Sequence, residues 1–367
     1  MRWIVLGRSA AAGAYQILAI IASLFQLRRP AFTGRFTPRV SILKPVLGAD
    51  PGFYEAIRSN AAQDYPDFEL LFGVSRPDDP AIAAIERLAR EFSGRNIRLF
   101  RGPALTPNAK VGKLAELARA ATGSILVISD SDILVPDGYL PRVVAPLEDP
   151  RVGLVTCVYR ARAESWPARF EALGVATDFG PSTMVAPFVG IDEFGLGSTL
   201  AVRAADLDRI GGFESLAAYL ADDYQLGRKL HSLGLKCVLS DVVVETHLSG
   251  ESWREVWKHQ VRWARTIRVS RGGGYAGLPI SHATLWAIVA WAAGMWPIAA
   301  ALMTVRYAMA FVAGWVVLRS AEVLRLWWLI PLRDLWATAV WAAGLFGRTV
   351  EWGGEELHLT PDGRILR

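Results

Sequence analysis

Apolar and charged positions divide the 367-residue chain into three zones. From Ser9 to Leu27 there is no charge, and the only strongly polar residues are Ser9, Gln16, Ser23 and Gln26. As a helix this run reaches about 30 Å, enough to cross a bilayer. Arg2 and Arg8 precede it, and Arg28, Arg29, Arg35 and Arg39 follow it. That asymmetry predicts an uncleaved anchor over residues 1–29, with the bulk of the chain on the cytoplasmic side. Near the other end, Ala283 to Val305 and Tyr307 to Leu318 are uncharged, with Arg306 between them. They predict a helical hairpin, turning at Gly294 to Pro297 or near Arg306, within a C-terminal membrane region over 280–348. Ile330 to Gly347 is a third apolar stretch with Arg333 and Asp334 near its start; crossing, re-entry and an interfacial position all fit it. The tail, 349–367, reads as a short hairpin.

The zone between, 38–250, alternates strand-like and helix-like runs. Strands are predicted over 39–43, 69–74, 96–100 and 124–129, and helices over 51–63, 78–92 and 110–121. This rhythm predicts an α/β domain whose mostly parallel sheet carries helices on both faces. Ligands of such sheets bind beyond the carboxyl ends of the strands. Lys44, Asp78, Asp79, Asp130 and Asp132 fall there. Beyond the domain, Trp253, Trp257, Val261, Ala264 and Ile267 recur at helical spacing, with Arg254, Lys258, Arg262 and Arg265 on a basic side. Residues 251–271 therefore read as an amphipathic helix lying in a membrane interface.

Composition strengthens the membrane reading. The chain is 52% hydrophobic and 20% charged, with 14 Trp, a residue favoured at bilayer interfaces. Its mean hydropathy is +0.26 and its pI about 9.3, which suits phosphates and anionic lipid heads. The basic residues cluster beside apolar runs and no nucleic-acid motif occurs, so no nucleic acid is expected as a partner. Nothing in the sequence points to an obligate protein partner. Cys157 and Cys237 match no metal spacing and read as reduced thiols of a cytoplasmic domain.

Chemistry concentrates at a few places. Asp130-Ser131-Asp132 ends the strand at 124–129. Burying a charge without a partner is costly, so something must sit against these acids. Hard oxygen ligands suit Mg²⁺ or Mn²⁺ placed between protein and phosphate. Taken alone, the same spacing serves equally as a loop cap. Asp222-Asp223-Tyr224 opens a helix after Gly211-Gly212-Phe213. Such acids either complement a helix dipole or supply a general base. Lys110, just after Asn108, is either a surface lysine behind a helix cap or a contact to a nucleotide. In His259-Gln260-Val261-Arg262-Trp263, an arginine beside a tryptophan could pin a diphosphate.

Taken in order, these motifs resemble the membrane-bound family 2 and family 21 glycosyltransferases, with the ceramide glucosyltransferases and the bacterial hopanoid-associated branch nearest. The shared set is the anchor, Ser41-Ile-Leu-Lys44-Pro45, Asp78-Asp79-Pro80, Asp130-Ser-Asp132, Asp222-Asp223-Tyr224, Arg262-Trp263 and the C-terminal membrane helices. The family pattern opens with Gln or Arg three residues before its arginine, where this chain has His259 followed by Gln260. The resemblance implies a GT-A fold with a Rossmann-like mixed sheet, a UDP-sugar donor, Mg²⁺ or Mn²⁺, and inversion at the anomeric carbon. It implies that Asp78 or Asp79 meets the uracil, and that Lys44, Lys110, Asp130 and Asp222 belong to the nucleotide-sugar site. Asp132, with Asp130, would hold the metal, and Asp223 would be the base. Gln260, Arg262 and Trp263 would meet the diphosphate or the acceptor. The acceptor would be a membrane lipid: a hopanoid polyol with UDP-N-acetylglucosamine, or ceramide with UDP-glucose. The implied setting is a bacterial inner membrane with the catalytic domain cytoplasmic. A processive polysaccharide synthase shares the motifs but ordinarily has more membrane helices. A non-enzymatic membrane adaptor has no need of three acidic sites at one pocket.

Overall fold

The computed structural model describes residues 2–31, 36–250, 252–352 and 355–366. Arg35, Glu251, and Gly353 and Gly354 of the expected tail hairpin lie outside the described residues. The chain forms two compact units. One comprises Pro30–Tyr159, Gly190–His247 and Gly363–Arg367; the other comprises Met1–Arg29, Arg160–Val189 and Leu248–Asp362. The linear reading, with one uninterrupted domain over 38–250, differs from this at Arg160–Val189, which packs with the helical unit.

In the first unit, eight strands among the described residues form one sheet: β1 (Val40–Val46), β2 (Phe68–Val74), β3 (Asn96–Arg101), β4 (Ile125–Ile128), β5 (Ile133–Leu134), β6 (Val152–Ala163), β7 (Leu200–Arg203) and β8 (Lys236–Leu248). Their order is β3-β2-β1-β4-β7-β6-β8-β5. The first four are parallel, whereas β4–β7, β6–β7 and β5–β8 are antiparallel. The mostly parallel expectation thus holds only for 40–128. Beyond β4 helices still separate the strands β5 to β8, but the strands return antiparallel. Alternate side chains of the parallel strands feed two cores. Ile42, Leu70 and Val127 pack on one face with Ile57 and Ile85 of the helices Phe53–Ala61 and Ala81–Glu91. Leu43, Leu71 and Ile128 pack on the other with Val111, Leu114 and Leu117 of the helix Ala109–Ala120. Strands buried on both faces need near-continuous apolar runs, and these have them.

One polar knot fastens the parallel strands. Glu69 is wholly buried, accepts from Ser41 Oγ at 2.6 Å and from the Thr122 amide at 2.8 Å, and pairs with Arg98 at 2.8 Å.

In the second unit, the helix Arg2–Leu27 packs against Gly180–Phe188, Ala283–Ala292 and Trp296–Met309. Arg2–Leu27 and Trp296–Val317 are long and apolar enough to cross a membrane. The turn between Ala283–Ala292 and Trp296–Met309 is at Gly294, with φ of 74°, rather than at Arg306. Arg306 is instead buried and paired with Asp334 at 2.6 Å. The amphipathic helix runs Trp253–Ser270 and starts from a reciprocal cap between Ser252 and Glu255. Strands β9 (Thr349–Trp352) and β10 (Glu355–Leu359) pair antiparallel in the tail.

Breaking the buried Glu69 knot should cost roughly 3–5 kcal/mol, whereas an exposed ion pair contributes about 1 kcal/mol or less. Glu69→Ala should therefore lower the melting temperature far more than Glu86→Ala, which removes only the half-exposed partner of Arg101. Thermal unfolding of the two purified variants checks this; equal shifts would contradict it.

Candidate active site

The strand order reverses between β1 and β4, and the crevice beyond such a switch point is where an open α/β sheet binds its ligand. Lys44 lies on β1, and Ser129 and Asp130 follow β4 directly. The Lys44 ammonium, expected to meet the nucleotide, has no accessible surface. It donates to Ser129 Oγ at 3.2 Å and to the Asp130 carbonyl at 3.0 Å. Burial brings its pKa down to about 8, against the pull of Asp132 and Asp130. Lys44 therefore braces the acidic loop from below and is not a contact surface.

The acids at 78 and 79 part company. Asp79 is buried, and its two oxygens accept from the amides of Gly48 at 2.9 Å and Ala81 at 3.0 Å. It ties the loop after β1 to the start of the next helix. Asp78 is exposed.

Four charged side chains converge beyond β4. Lys110 stands in the first turn of the helix Ala109–Ala120, whose Asn108 cap accepts from the Val111 amide at 3.1 Å. Its ammonium lies 2.7 Å from Asp130 Oδ1 and 3.6 Å from Asp222 Oδ2. Burial opposes that charge, but Asp130, Asp222 and Asp223 outweigh it and hold Lys110 well above the usual lysine range. Asp222 and Asp223 open the helix Asp222–Ser232. Burial, only partly offset by Lys110, raises the Asp222 carboxyl. Burial and the neighbouring Asp222 push Asp223 up to about 6. Asp223 is oriented at both oxygens, by the Gly197 amide at 3.0 Å and the Tyr224 amide at 2.7 Å.

Gly197 marks the centre of the cluster. A β-carbon there would stand 3.0 Å from Asp130 Oδ2, 3.5 Å from Lys110 Nζ and 3.6 Å from Asp223 Oδ2. A side chain there would press on Asp130, whose carboxylate would have to give by a few tenths of an ångström. Sequence reasoning missed Gly197; its one signal is Gly195-Leu-Gly197, small residues outside any helix or turn motif. It also missed Thr246 on β8, whose hydroxyl donates to Asp132 Oδ2. Burial and the Asp130 charge raise the Asp132 carboxyl, against the Thr246 hydrogen bond and the Lys44 ammonium.

These acids suit a divalent cation only in a particular way. Lys110 takes one oxygen of Asp130 and Thr246 one of Asp132; the second oxygen of each has no other side-chain partner among the described residues. No group of three metal-ligating side chains occurs among the described residues. Two hard carboxylates fit Mg²⁺ or Mn²⁺ of the kind completed by substrate phosphates and water.

The remaining expected site residues lie on the helix Trp253–Ser270 of the other unit. Gln260 is buried and accepts from Trp336 Nε1 at 2.9 Å. Arg262 is half-buried. Trp263 packs edge-on against His259 at 4.7 Å and tilted against Phe179 at 5.5 Å. His259 meets Glu171 at 2.7 Å, so the departure from the family pattern at this position has a partner of its own.

The glycosyl transferase family 21 profile matches residues 7–365. Ceramide glucosyltransferase 1 of Caenorhabditis elegans is 30% identical over 227 residues, covering 61% of this chain and 48% of that protein. Ceramide glucosyltransferase 3 of the same organism is 28% identical over 253 residues, covering 68% and 55%. The chain thus spans about half the length of these relatives. A mannosyltransferase from Pyrobaculum calidifontis, solved with GDP-mannose and Mn²⁺, superposes with a TM-score of 0.59 at 22% identity, covering 92% of this chain and 97% of that one. The sheet unit has the GT-A fold, and the chain belongs to glycosyl transferase family 21.

Proposed function

We propose that the protein transfers a sugar, with inversion, from a UDP-sugar to the hydroxyl of a membrane lipid. The observation that carries this reading is the meeting of Asp130, Lys110 and Asp223 around Gly197, beyond the switch point of the sheet. An adaptor has no use for such a cluster; a displacement at a sugar carbon needs a base and a charged site for the departing diphosphate. Asp223 is the base. Its raised pKa lies near neutrality, where a general base works best, and two backbone amides aim it. It takes the proton from the lipid hydroxyl as that oxygen attacks the anomeric carbon. Asp130 and Asp132 would hold Mg²⁺ or Mn²⁺. When bound, the cation neutralises charge on the departing diphosphate. Asp78 is left free for the uracil because Asp79 is spent on backbone amides. Lys110 and Asp222 set the charge around the donor. Arg262 and Trp263 serve the diphosphate or the acceptor.

The lipid acceptor is supported by resemblance to ceramide glucosyltransferases, and by two helices with the length and apolarity of membrane spans. A hopanoid polyol with UDP-N-acetylglucosamine and ceramide with UDP-glucose are the two pairs the motifs favour. The arginines that follow the first helix favour a cytoplasmic sheet unit on a bacterial inner membrane. The test is direct. Purified protein in detergent with Mn²⁺ is offered each UDP-sugar with ceramide and with bacteriohopanetetrol, and glycolipid is sought by mass spectrometry. One productive pair supports the reading; failure to bind any UDP-sugar contradicts it.

Two variants separate the roles. Asp223→Asn should bind UDP-sugar normally and lose turnover; in the unaltered protein kcat/KM should rise with pH through about 6 and level off above, because the ionised form acts. Normal turnover in the variant, or a pH profile with no acid limb, removes Asp223 from this role. Asp132→Ala should weaken donor binding and raise the Mn²⁺ requirement together, at a cost of about 3 kcal/mol, roughly a hundredfold in rate. Metal titrations of activity read this out, and an unchanged Mn²⁺ optimum would count against it.

A further inference from the structure

The helical unit holds a half-open cavity of about 130 Å³, lined in part by Gln260 and Trp263. Its wall is mostly carbon, interrupted by Glu171, Asp178, Gln260, His282 and Arg333. Arg333 is only 7% exposed, yet its Nε and Nη1 have no hydrogen-bond partner. Its guanidinium fills the space over Gly174, where a β-carbon would stand 2.0 Å from Nε. Gln260 repeats the pattern: Oε1 is satisfied by Trp336, while the buried Nε2 has no partner. Opposite in character is Asp178, a carboxylate in the same wall whose charge acts on Arg333 and His282. It sits on the π-helical turn Val175–Phe179, between the helices Trp166–Gly174 and Gly180–Phe188. Such turns often occur at functional sites.

Elsewhere in the same unit single buried atoms of Ser9, Gln16, Arg306 and Ser320 also lack partners, but other buried polar groups are paired. Arg306 binds Asp334, Thr284 donates to Asp334 at 2.7 Å, His259 meets Glu171, and His282 meets Thr338 at 2.9 Å. Buried donors without partners are rare and costly, so the gathering of three of them, from Arg333 and Gln260, at one cavity points to a missing ligand. Its chemistry follows from what is unspent. Arg333 and Gln260 donate; Asp178 accepts. Glu171 and Asp178 offset the single guanidinium, so a phosphate would meet two carboxylates. An uncharged head with both hydroxyl or amide donors and acceptors fits better, carried on an apolar body that matches the carbon wall.

We infer that this cavity binds the uncharged, hydroxylated head of the acceptor lipid, with Arg333, Gln260 and Asp178 as its polar contacts. The inference rests on the lipid-acceptor reading above. It is tested by direct binding to the full chain in detergent. The probes are short-chain ceramide, its phosphorylated form, and bacteriohopanetetrol. Two variants are compared with the unaltered protein: Arg333→Gln removes the free donors, and Ala337→Phe fills the cavity from its wall. Expected is binding of at least one neutral lipid, weakened about tenfold or more in both variants, about the effect of one buried hydrogen bond. UDP-sugar binding should stay intact, which also reports that the variants are folded. Unchanged lipid binding in both variants, tighter binding of the phosphorylated lipid, or no binding of either neutral lipid overturns the assignment. Lipid bound but no UDP-sugar bound leaves the cavity assigned and fails the glycosyl-transfer reading instead.

Discussion

The ammonium of Lys110 is the charge on which the sheet unit's acidic crevice depends. Three carboxylates share it, and two unit charges about 4 Å apart interact by about 4 kcal/mol at the effective dielectric of a protein's margin. Without Lys110 the acids at 130, 222 and 223 would repel one another with little water to screen them. Its placement comes from Asn108. That residue caps the helix carrying Lys110, donates from its side chain to the Tyr219 carbonyl at 2.8 Å, and donates its amide to Ala217 at 3.0 Å. One side chain thus sets both the lysine and the segment leading into Asp222. Lys44 does the same for Asp130 from beneath. The two lysines divide the work: the buried one holds the backbone and the partly exposed one holds the charge.

The helical unit solves a different electrostatic problem. Arg306 and Asp334 come from two separate apolar helices and neutralise each other where water is scarce. Breaking such a pair by removing one partner is strongly destabilising, so it fastens those helices together. The neighbour of Asp334, Arg333, is turned about 100° around the same helix and finds no such partner. Adjacent residues therefore do opposite things: one closes the bundle, the other keeps donors available within a cavity.

Much of this was legible in the sequence. Strand and helix periodicity located the parallel core, because strands buried on both faces and helices with one apolar stripe leave unmistakable patterns. The Asp130–Asp132 and Asp222–Asp223 pairs were legible as well, since charge at the end of an apolar strand or the start of a helix asks for a partner. What was hidden depended on tertiary approach. The choice between Asp78 and Asp79 turns on which carboxylate meets two amides from distant loops. Lys44 looks like any lysine at a strand end until burial shows what it holds. Gly197 and Gly174 carry no chemistry of their own and matter only for what passes close to them. The grouping of 160–189 with the helical unit follows from packing partners that lie far away along the chain.

The central claim is that the acidic crevice binds its donor through a divalent cation held by only two carboxylates. Electron paramagnetic resonance of free Mn²⁺, titrated against the purified protein with and without UDP, tests it most directly. The account predicts weak binding by the protein alone and clear uptake of Mn²⁺ when the diphosphate completes the coordination. No uptake in either condition would contradict it.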